Sequence, residues 1–387
     1  MKISYLLTLL IIFAFLVWYT EHESKSPIQP SGNTVKVGII APFTGATKNR
    51  GTQGVKGIKI AQQLIPYLDN GDAIEWVAMD DEGIPERAIN ALKKLAIIHK
   101  VTAIIILSGS DSVLAVTKAA ELYKTPILAL LASHPDITKH SSYINQFNFD
   151  DTFQAAVAAF YVRDELLINR VAIMTEAGNV HFSYLANEFA KQFNSTEGVI
   201  TDSYELTTNK QDYVQLLQSI KSKGPELLYL PVGIEHLFKI KLALAELDWN
   251  PKIMLSDGIL ASIKAQKKYP LDMMNGMLAT DPFSYDMEFT DLGEQLWEQM
   301  VSMGNATQDI QTNSILSMEG YTLLIDVMNR CLEQQNKRLC INNNIRSTAK
   351  FEGVKGLISF DKAGRAHRSL SINRINAGLT EFVVQVY

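Results

Sequence analysis

The sequence predicts an α/β protein made of two doubly wound, parallel-sheet lobes, and three observations carry that prediction. Its 387 residues exceed one ordinary domain and suit two units of about 150 residues each. From residue 34 onward, short apolar runs alternate with segments of helical apolar spacing, the pattern of a parallel sheet covered by helices. The alternation then restarts after residue 150, with no long Gly/Ser linker between the two series, so short strands are expected to join the lobes.

In the first series, VKVGIIA (35–41) is a buried strand run, and GTQGVKGIKIAQQLIPYL (51–68) has helical spacing. AIEWVAMDD (73–81) reads as a strand ending in acids. PERAINALKKLAIIHK (85–100) opens with Pro and Glu, as helix starts do. TAIIILSG is a strand, DSVLAVTKAAELYK a helix and TPILALLA a strand. After YINQFNFDD the second series follows. TFQAAVAAFYVRDELL, VHFSYLANEFAKQFN, DYVQLLQSIKSKG and IEHLFKIKLALAELDW are helices, and RVAIMTEAG, GVITDSYEL, PELLYLPVG and PKIMLSDG are strands. Two long helical stretches, DLGEQLWEQMVSMG and SILSMEGYTLLIDVMNRCLEQ, precede a C-terminal run of short strands with Gly turns.

Residues 1–20 hold one Lys and an almost unbroken apolar run, followed by a polar, Pro/Ser-bearing linker over 21–33. This marks an exported chain. The run lacks an A-x-A cleavage pattern, and Trp18 and Tyr19 suit an interfacial anchor, so a cleaved signal peptide and a retained N-terminal membrane anchor both stand. No Cys follows the run, which excludes a bacterial lipid anchor. The two cysteines, Cys331 and Cys340, flank an expected helix end. In an oxidising compartment a disulfide closing that short loop is favoured, with two separate buried thiols as the alternative. A net charge of -5 without a basic face argues against nucleic-acid binding. No His, Cys or acidic residues stand at metal-ligand spacing, and no cofactor loop or nucleophile–base pair is recognisable, so neither metal, cofactor nor enzyme activity is expected.

The Gly-rich turn after the first strand, GATKNRG, fits neither the phosphate-loop nor the dinucleotide pattern. LSGSDS (107–112) and LASHPD (131–136) also follow strands and are rich in hydroxyls. In open α/β sheets ligands lie outside the carboxyl ends of strands, where helix N-termini favour an anion. Ser110, Asp111, Ser112 and Ser133 taken singly suit helix caps or turns. Together, on adjacent strand ends, they point to a small anionic or zwitterionic ligand.

The segments VKVGIIAPFTGATKNRGTQGVKGIKIA, VAMDDEGIPERAINALKKL and KFEGVKGLISFDKAGRA resemble the leucine/isoleucine/valine-type periplasmic binding proteins, the type I solute-binding proteins of ABC importers. The stretch Phe351 to Gly364 is the most specific piece, and Asp80 and Asp81 before Pro85 add to it. The resemblance covers nearly all of residues 34–387. It implies a hinge and an interlobe cleft, with lobe I at 34–150 plus 282–365 and lobe II at 151–281 plus 366–387. It places the carboxylate-binding serine on Ser112 and the family's Ala-Thr pair on Ala132 and Ser133. It places the hinge aspartate on Asp151 and the acid that helps hold an ammonium on Asp257.

Departures from the family also matter. Arg50 stands in the opening loop where a Tyr or another ligand-facing side chain is common, and either recognises a second acidic group or points to solvent. The family's lobe II Tyr-Gly pair becomes His181-Phe182, and a further family Tyr falls near Gly233 and Ile234, so the pocket is not that of a leucine binder. The resemblance implies an extracytoplasmic protein, periplasmic or on the outer face of the inner membrane. Such a protein captures an amino acid or related small molecule and delivers it to an ABC permease. The alternative is an anchored sensory or regulatory scaffold of the same fold that binds a membrane sensor or other protein partner. Asp80 and Asp81 are expected to order a strand-end turn rather than to act as an acid pair.

Overall fold

In the computed structural model, residues 28–207, 212–265, 271–305, 311–376 and 379–387 are described. The expected signal or anchor at 1–20, and the linker up to residue 27, lie outside them. No helix among the described residues is long and apolar enough to cross a membrane.

The first sheet contains β1 (Thr34–Ala41), β2 (Ala73–Asp80), β3 (Ala103–Ile106), β4 (Ile127–Ala129) and β5 (Ile144–Gln146), in the order β2-β1-β3-β4-β5. All its pairings are parallel. β1, β3 and β4 are short, apolar and buried on both faces, as strands between two helical layers must be. Registers such as Ala41↔Asp80, Ile40↔Ile106 and Ala129↔Gln146 bring the carboxyl ends of these strands to one edge. The layers are α1 (Lys48–Leu64), α2 (Pro85–Lys93) and α3 (Ser110–Tyr123).

The second sheet has the order β15-β14-β10-β9-β8-β6-β7. β6 (Arg170–Glu176), β7 (Val199–Leu206), β8 (Leu227–Leu230), β9 (Lys252–Leu255) and β10 (Leu278–Asp281) run parallel, and β14 (Leu370–Asn376) and β15 (Leu379–Val386) join antiparallel at the β10 edge. Its helices are α4 (Asp151–Phe160), α5 (Val180–Ser195), α6 (Tyr213–Ser222), α7 (Ile234–Glu246) and α8 (Ile259–Ala265). After β10 the chain returns to the first sheet through α9 (Asp291–Ser302), α10 (Thr312–Asn329), α11 (Lys337–Arg346) and a small sheet of β11 (Phe351–Gly353), β12 (Gly356–Phe360) and β13 (Ala366–His367), before crossing back into β14. The parallel α/β class expected from the alternation is therefore the one present.

The glycines of GTQGVKG are explained by packing. α1 lies against α10, and a Cβ on Gly57 would stand 2.1 Å from the backbone oxygen of Ser314. One on Gly54 would meet Leu107 at 2.6 Å. Only a residue without a Cβ lets the two backbones approach so closely. α10 is buried almost all round, with Ile315, Met318, Tyr321 and Leu324 in the same core as Val37, Ile39 and Ile105 of the first sheet.

Among the elements named above, β5, β10, α8 and α11 were not expected from periodicity. Cys331 and Cys340 are bonded to each other, tying the end of α10 to α11. Arg338 anchors the same helix by donating to the carbonyls of Ala96 and Val101.

Candidate functional site

The facing edges of the two sheets bring the candidate residues to one place. Asp80 and Asp81 build the turn beside it. Asp80 Oδ1 accepts from the N–H groups of Phe43 at 2.9 Å and Glu82 at 2.9 Å, and Asp81 accepts from Gly83 N–H at 3.0 Å and Ser108 Oγ at 2.5 Å. Every oxygen with a bond there serves the loops, so the pair orders the strand-end turn.

On the first-sheet side, α3 begins at Gly109, whose extended backbone caps the helix without a side chain. The helices opposite are capped: Asp150 accepts from Phe153 N–H and Asn179 from Phe182 N–H. The first turn of α3, holding buried Ser110 and Ser112, thus keeps free donors and the positive end of the helix dipole. Ser110 Oγ accepts from the N–H groups of Ser133 at 3.4 Å and His134 at 3.3 Å, joining the two hydroxyl-rich loops. Ala132 turns its methyl into the core with Val113 and Ile137, leaving its neighbour Ser133 to face the cleft. Arg50, in the first turn of α1, places Nη1 where a Cβ on Gly109 would be, 2.4 Å away. Its side chain remains exposed along the cleft wall. Desolvation by the surrounding protein lowers the guanidinium pKa, against the pull of Asp257, Asp111 and Asp81. Water access limits that shift, and a guanidinium stays charged regardless.

On the second-sheet side, Asp151 opens α4 and is fully buried. Its N–H donates to Ser133 O at 2.9 Å, and its Oδ2 lies 2.9 Å from His181 Nδ1. His181 stands in the first turn of α5, and its Nε2 lies 3.3 Å from Asp257 Oδ1. Ser133 Oγ reaches His181 Nδ1 at 3.3 Å across the cleft. Burial alone would depress the imidazole pKa. Asp151, and then Asp257, overcome it and raise it to about 10. His181 is therefore an imidazolium at neutral pH, hydrogen-bonded to Asp151 through Nδ1 and ion-paired with Asp257 through Nε2. Phe182 packs beside it, ring centroids 5.2 Å apart. Where the family resemblance would place another Tyr, Gly233 caps α7 with its N–H donating to Glu176, and Ile234 is buried in the lobe core.

Tyr229 was not among the sequence candidates. It lies in β8, stacks on Phe189 at 4.0 Å, and presents a buried hydroxyl without a hydrogen-bond partner among the described residues. Burial, reinforced by Asp151 and Asp257, pushes its pKa well above the usual value. Its signal was one phenol in the otherwise aliphatic run LLYL, since a buried tyrosine hydroxyl normally requires a partner. His134 and Tyr184, also missed, meet edge to face at 4.9 Å, and Thr152 bonds the Tyr184 hydroxyl at 3.0 Å. No group of His, Cys, Asp or Glu among the described residues is placed to hold a metal ion.

Two sheet-based lobes that turn polar carboxyl edges toward each other define a two-lobed binding protein. The chain belongs to the periplasmic binding protein family, which matches residues 34–379. That family is one of binding proteins, not enzymes. A curated relative, the Leu/Ile/Val-binding protein homolog 3 of Brucella melitensis biotype 1, is 27% identical over 207 residues, half of this chain and 53% of that protein; the match thus spans about half the relative's length. Among solved structures, a leucine binding protein, LivK, from Thermotoga maritima superposes with a TM-score of 0.81 at 24% identity, covering 91% of this chain and 99% of that one. An ABC-transporter solute binding protein from Rhodopseudomonas palustris BisB5, in complex with 3,4-dihydroxybenzoic acid, superposes at 0.77 with 19% identity, covering 91% and 97%. At these identities the structures establish the fold alone.

Proposed function

We propose that this chain is the extracytoplasmic solute-binding component of an ABC importer, capturing a small carboxylate-bearing solute between its lobes and presenting it to a permease. The observation that carries this is the pairing of an uncapped helix N-terminus and Arg50 on one wall with Asp151, His181, Tyr229 and Asp257 on the other. Ser112 and Ser133 would receive the carboxylate, and Arg50 would add charge-assisted donors. Lobe I at 34–150 plus 282–365 and lobe II at 151–281 plus 366–387 would close as rigid bodies, with the permease reading the closed form. The apolar N-terminus would serve export to the periplasm, as a signal or as an anchor on the membrane's outer face. The named ligands of similar proteins, leucine and a dihydroxybenzoic acid, both carry a carboxylate.

A second reading, an anchored sensory or regulatory scaffold, draws on the direct bonds from Asp151 N–H to Ser133 O and from His181 to Ser133 Oγ, which join the two walls through the chain's own groups. Thermal unfolding against amino acids, aromatic acids, dicarboxylates and short peptides separates the two. A ligand at a thousand times its Kd stabilises by about 4 kcal/mol and visibly raises the midpoint. A rise with one carboxylate class supports the importer component. A cooperative transition that no compound shifts favours the scaffold.

A further inference from the structure

The chain enters the first sheet at the pole opposite the cleft. Thr34 opens β1, while the carboxyl ends of the strands lie at the other edge. Just before β1, Ser31 N–H donates to Gly71 O at 2.9 Å and Ser31 Oγ to Asp72 at 2.7 Å, pinning the entering chain to the turn ahead of β2. Ser31 and Asn70, and at longer range Lys337, hold the Asp72 carboxyl below its usual range, so the start of α11 lies beside that turn. Arg338, the next residue, donates to the carbonyls of Ala96 and Val101, and to that of Tyr123 at 3.4 Å. One guanidinium thus joins the helical turn that continues α2, Lys94–Ile98, to the end of α3.

The residues beside these bonded positions are apolar and face water: Ile97 and Ile98 after Ala96, Leu122 before Tyr123, and Leu339 after Arg338. Ile98 is 70% exposed and Leu122 71%. Single exposed apolar residues are ordinary, but four on segments that one side chain bridges form a patch. Lys94, Lys100 and Lys124 stand exposed among them. Glu121, at the same helix end, is taken up by Ser141 and Ser142. The matching pole of the second sheet also exposes Phe160, Leu167 and Val199, but there Asp164, Glu165 and Glu197 are the exposed neighbours. Apolar side chains among lysines suit an anionic bilayer surface, and apolar side chains among acids do not. The sequence also brings such a surface close. The apolar run 1–20 precedes this pole, and residues 21–28 between them span at most about 28 Å when fully stretched. So short a tether keeps the pole at a high effective concentration against any bilayer that holds the run, and a patch too weak to bind alone then suffices.

We propose that the pole around Ile98, Leu122 and Leu339, with its lysines, rests on an anionic bilayer surface and turns the cleft away from the bilayer. The inference rests on the anchored form of the reading above. The test uses the full chain in vesicles of phosphatidylcholine and phosphatidylglycerol, with an environment-sensitive fluorophore on Ile98→Cys, Leu122→Cys or, as the reference, Leu167→Cys. Cys331 and Cys340 are bonded to each other and do not take the label. Brominated lipid is expected to quench the labels at 98 and 122 at least about twofold more than the label at 167, and the contrast should fall in phosphatidylcholine alone. Equal quenching at all three positions overturns the proposal. A contrast unchanged in phosphatidylcholine alone overturns the role of the lysines. Shielding that follows protein concentration rather than lipid overturns it in favour of a second copy of the chain on the patch. The intact mass of the exported chain should include residues 1–20. A mass without them removes the tether and overturns the proposal, while leaving solute capture, which the ligand-dependent unfolding midpoint tests, untouched.

Discussion

Replacing His181 by Gln removes the cation that lies against both Asp151 and Asp257, leaving a fully buried carboxylate and a nearly buried one without the imidazolium between them. The rise of the imidazole pKa from 6.5 to about 10, at about 1.4 kcal/mol per pH unit, corresponds to roughly 5 kcal/mol as an upper bound. The general cost of deleting one partner of a buried pair, about 3–5 kcal/mol, is of the same size. The sign follows from proton counting. Between pH 6.5 and 10 the folded state holds a proton that the unfolded state has released, so stability falls as pH rises through that window. The contribution is complete below pH 6.5 and gone above pH 10. Lys355, whose pKa burial lowers to about 8, titrates in the same window, but it does so in both proteins and cancels in their difference. The assay is urea unfolding of the original chain and His181→Gln at pH 6, 8 and 10. Their difference in unfolding free energy should be largest at pH 6 and shrink steadily toward pH 10. A difference that is the same at all three values would mean that His181 is neutral in the fold, and the charge argument would fail with it.

Gly57→Ala puts a methyl 2.1 Å from the Ser314 carbonyl oxygen and should destabilise by about 1–3 kcal/mol or more, read as a lower urea midpoint; an unchanged midpoint would deny the close approach of α1 to α10. Cys331→Ser opens a loop with a sequence separation of 9 and should lower the unfolding free energy by about 2–3 kcal/mol, whereas labelling of free thiols in the unreduced, denatured original would show that no bond forms. Gly109→Ala forces the Arg50 guanidinium aside and should weaken binding of an acidic ligand by about tenfold, the value of one charge-assisted bond, with little change in the midpoint without ligand. Equal affinity would place Arg50 off the ligand.

The fold was legible wherever an apolar run was long enough to show its period. β1, β3 and α3 are of that kind. β5 has three residues and sits inside the polar stretch YINQFNFDD, and α11 reads KRLCINNNIR, whose three asparagines favour turns over helix. Tertiary bonds hold α11 in place: the disulfide, the carbonyls that receive Arg338, and Asn342, which receives from Asn145 and donates to the Ser142 carbonyl. None of these is local in sequence. The candidate site was legible as separate residues. Asp151, His181 and Asp257 each stood out in its own strand-end segment, yet nothing local says that one imidazole lies between two carboxylates. Tyr229 was hidden for the opposite reason, since a strand of aliphatic neighbours reads as core until its buried hydroxyl is found without a hydrogen-bond partner among the described residues.

The most direct test of the central claim, that a small acid binds between the lobes at Asp151, His181 and Asp257, is nitrogen NMR of the imidazoles in ligand-free protein before and after addition of the pooled amino acids, hydroxy acids and aromatic acids. The His181 resonances should begin as an imidazolium and shift on saturation, in step with a raised unfolding midpoint. A raised midpoint with unmoved His181 resonances would place the ligand elsewhere, and neither changing would contradict the claim that this chain binds a small acid at all.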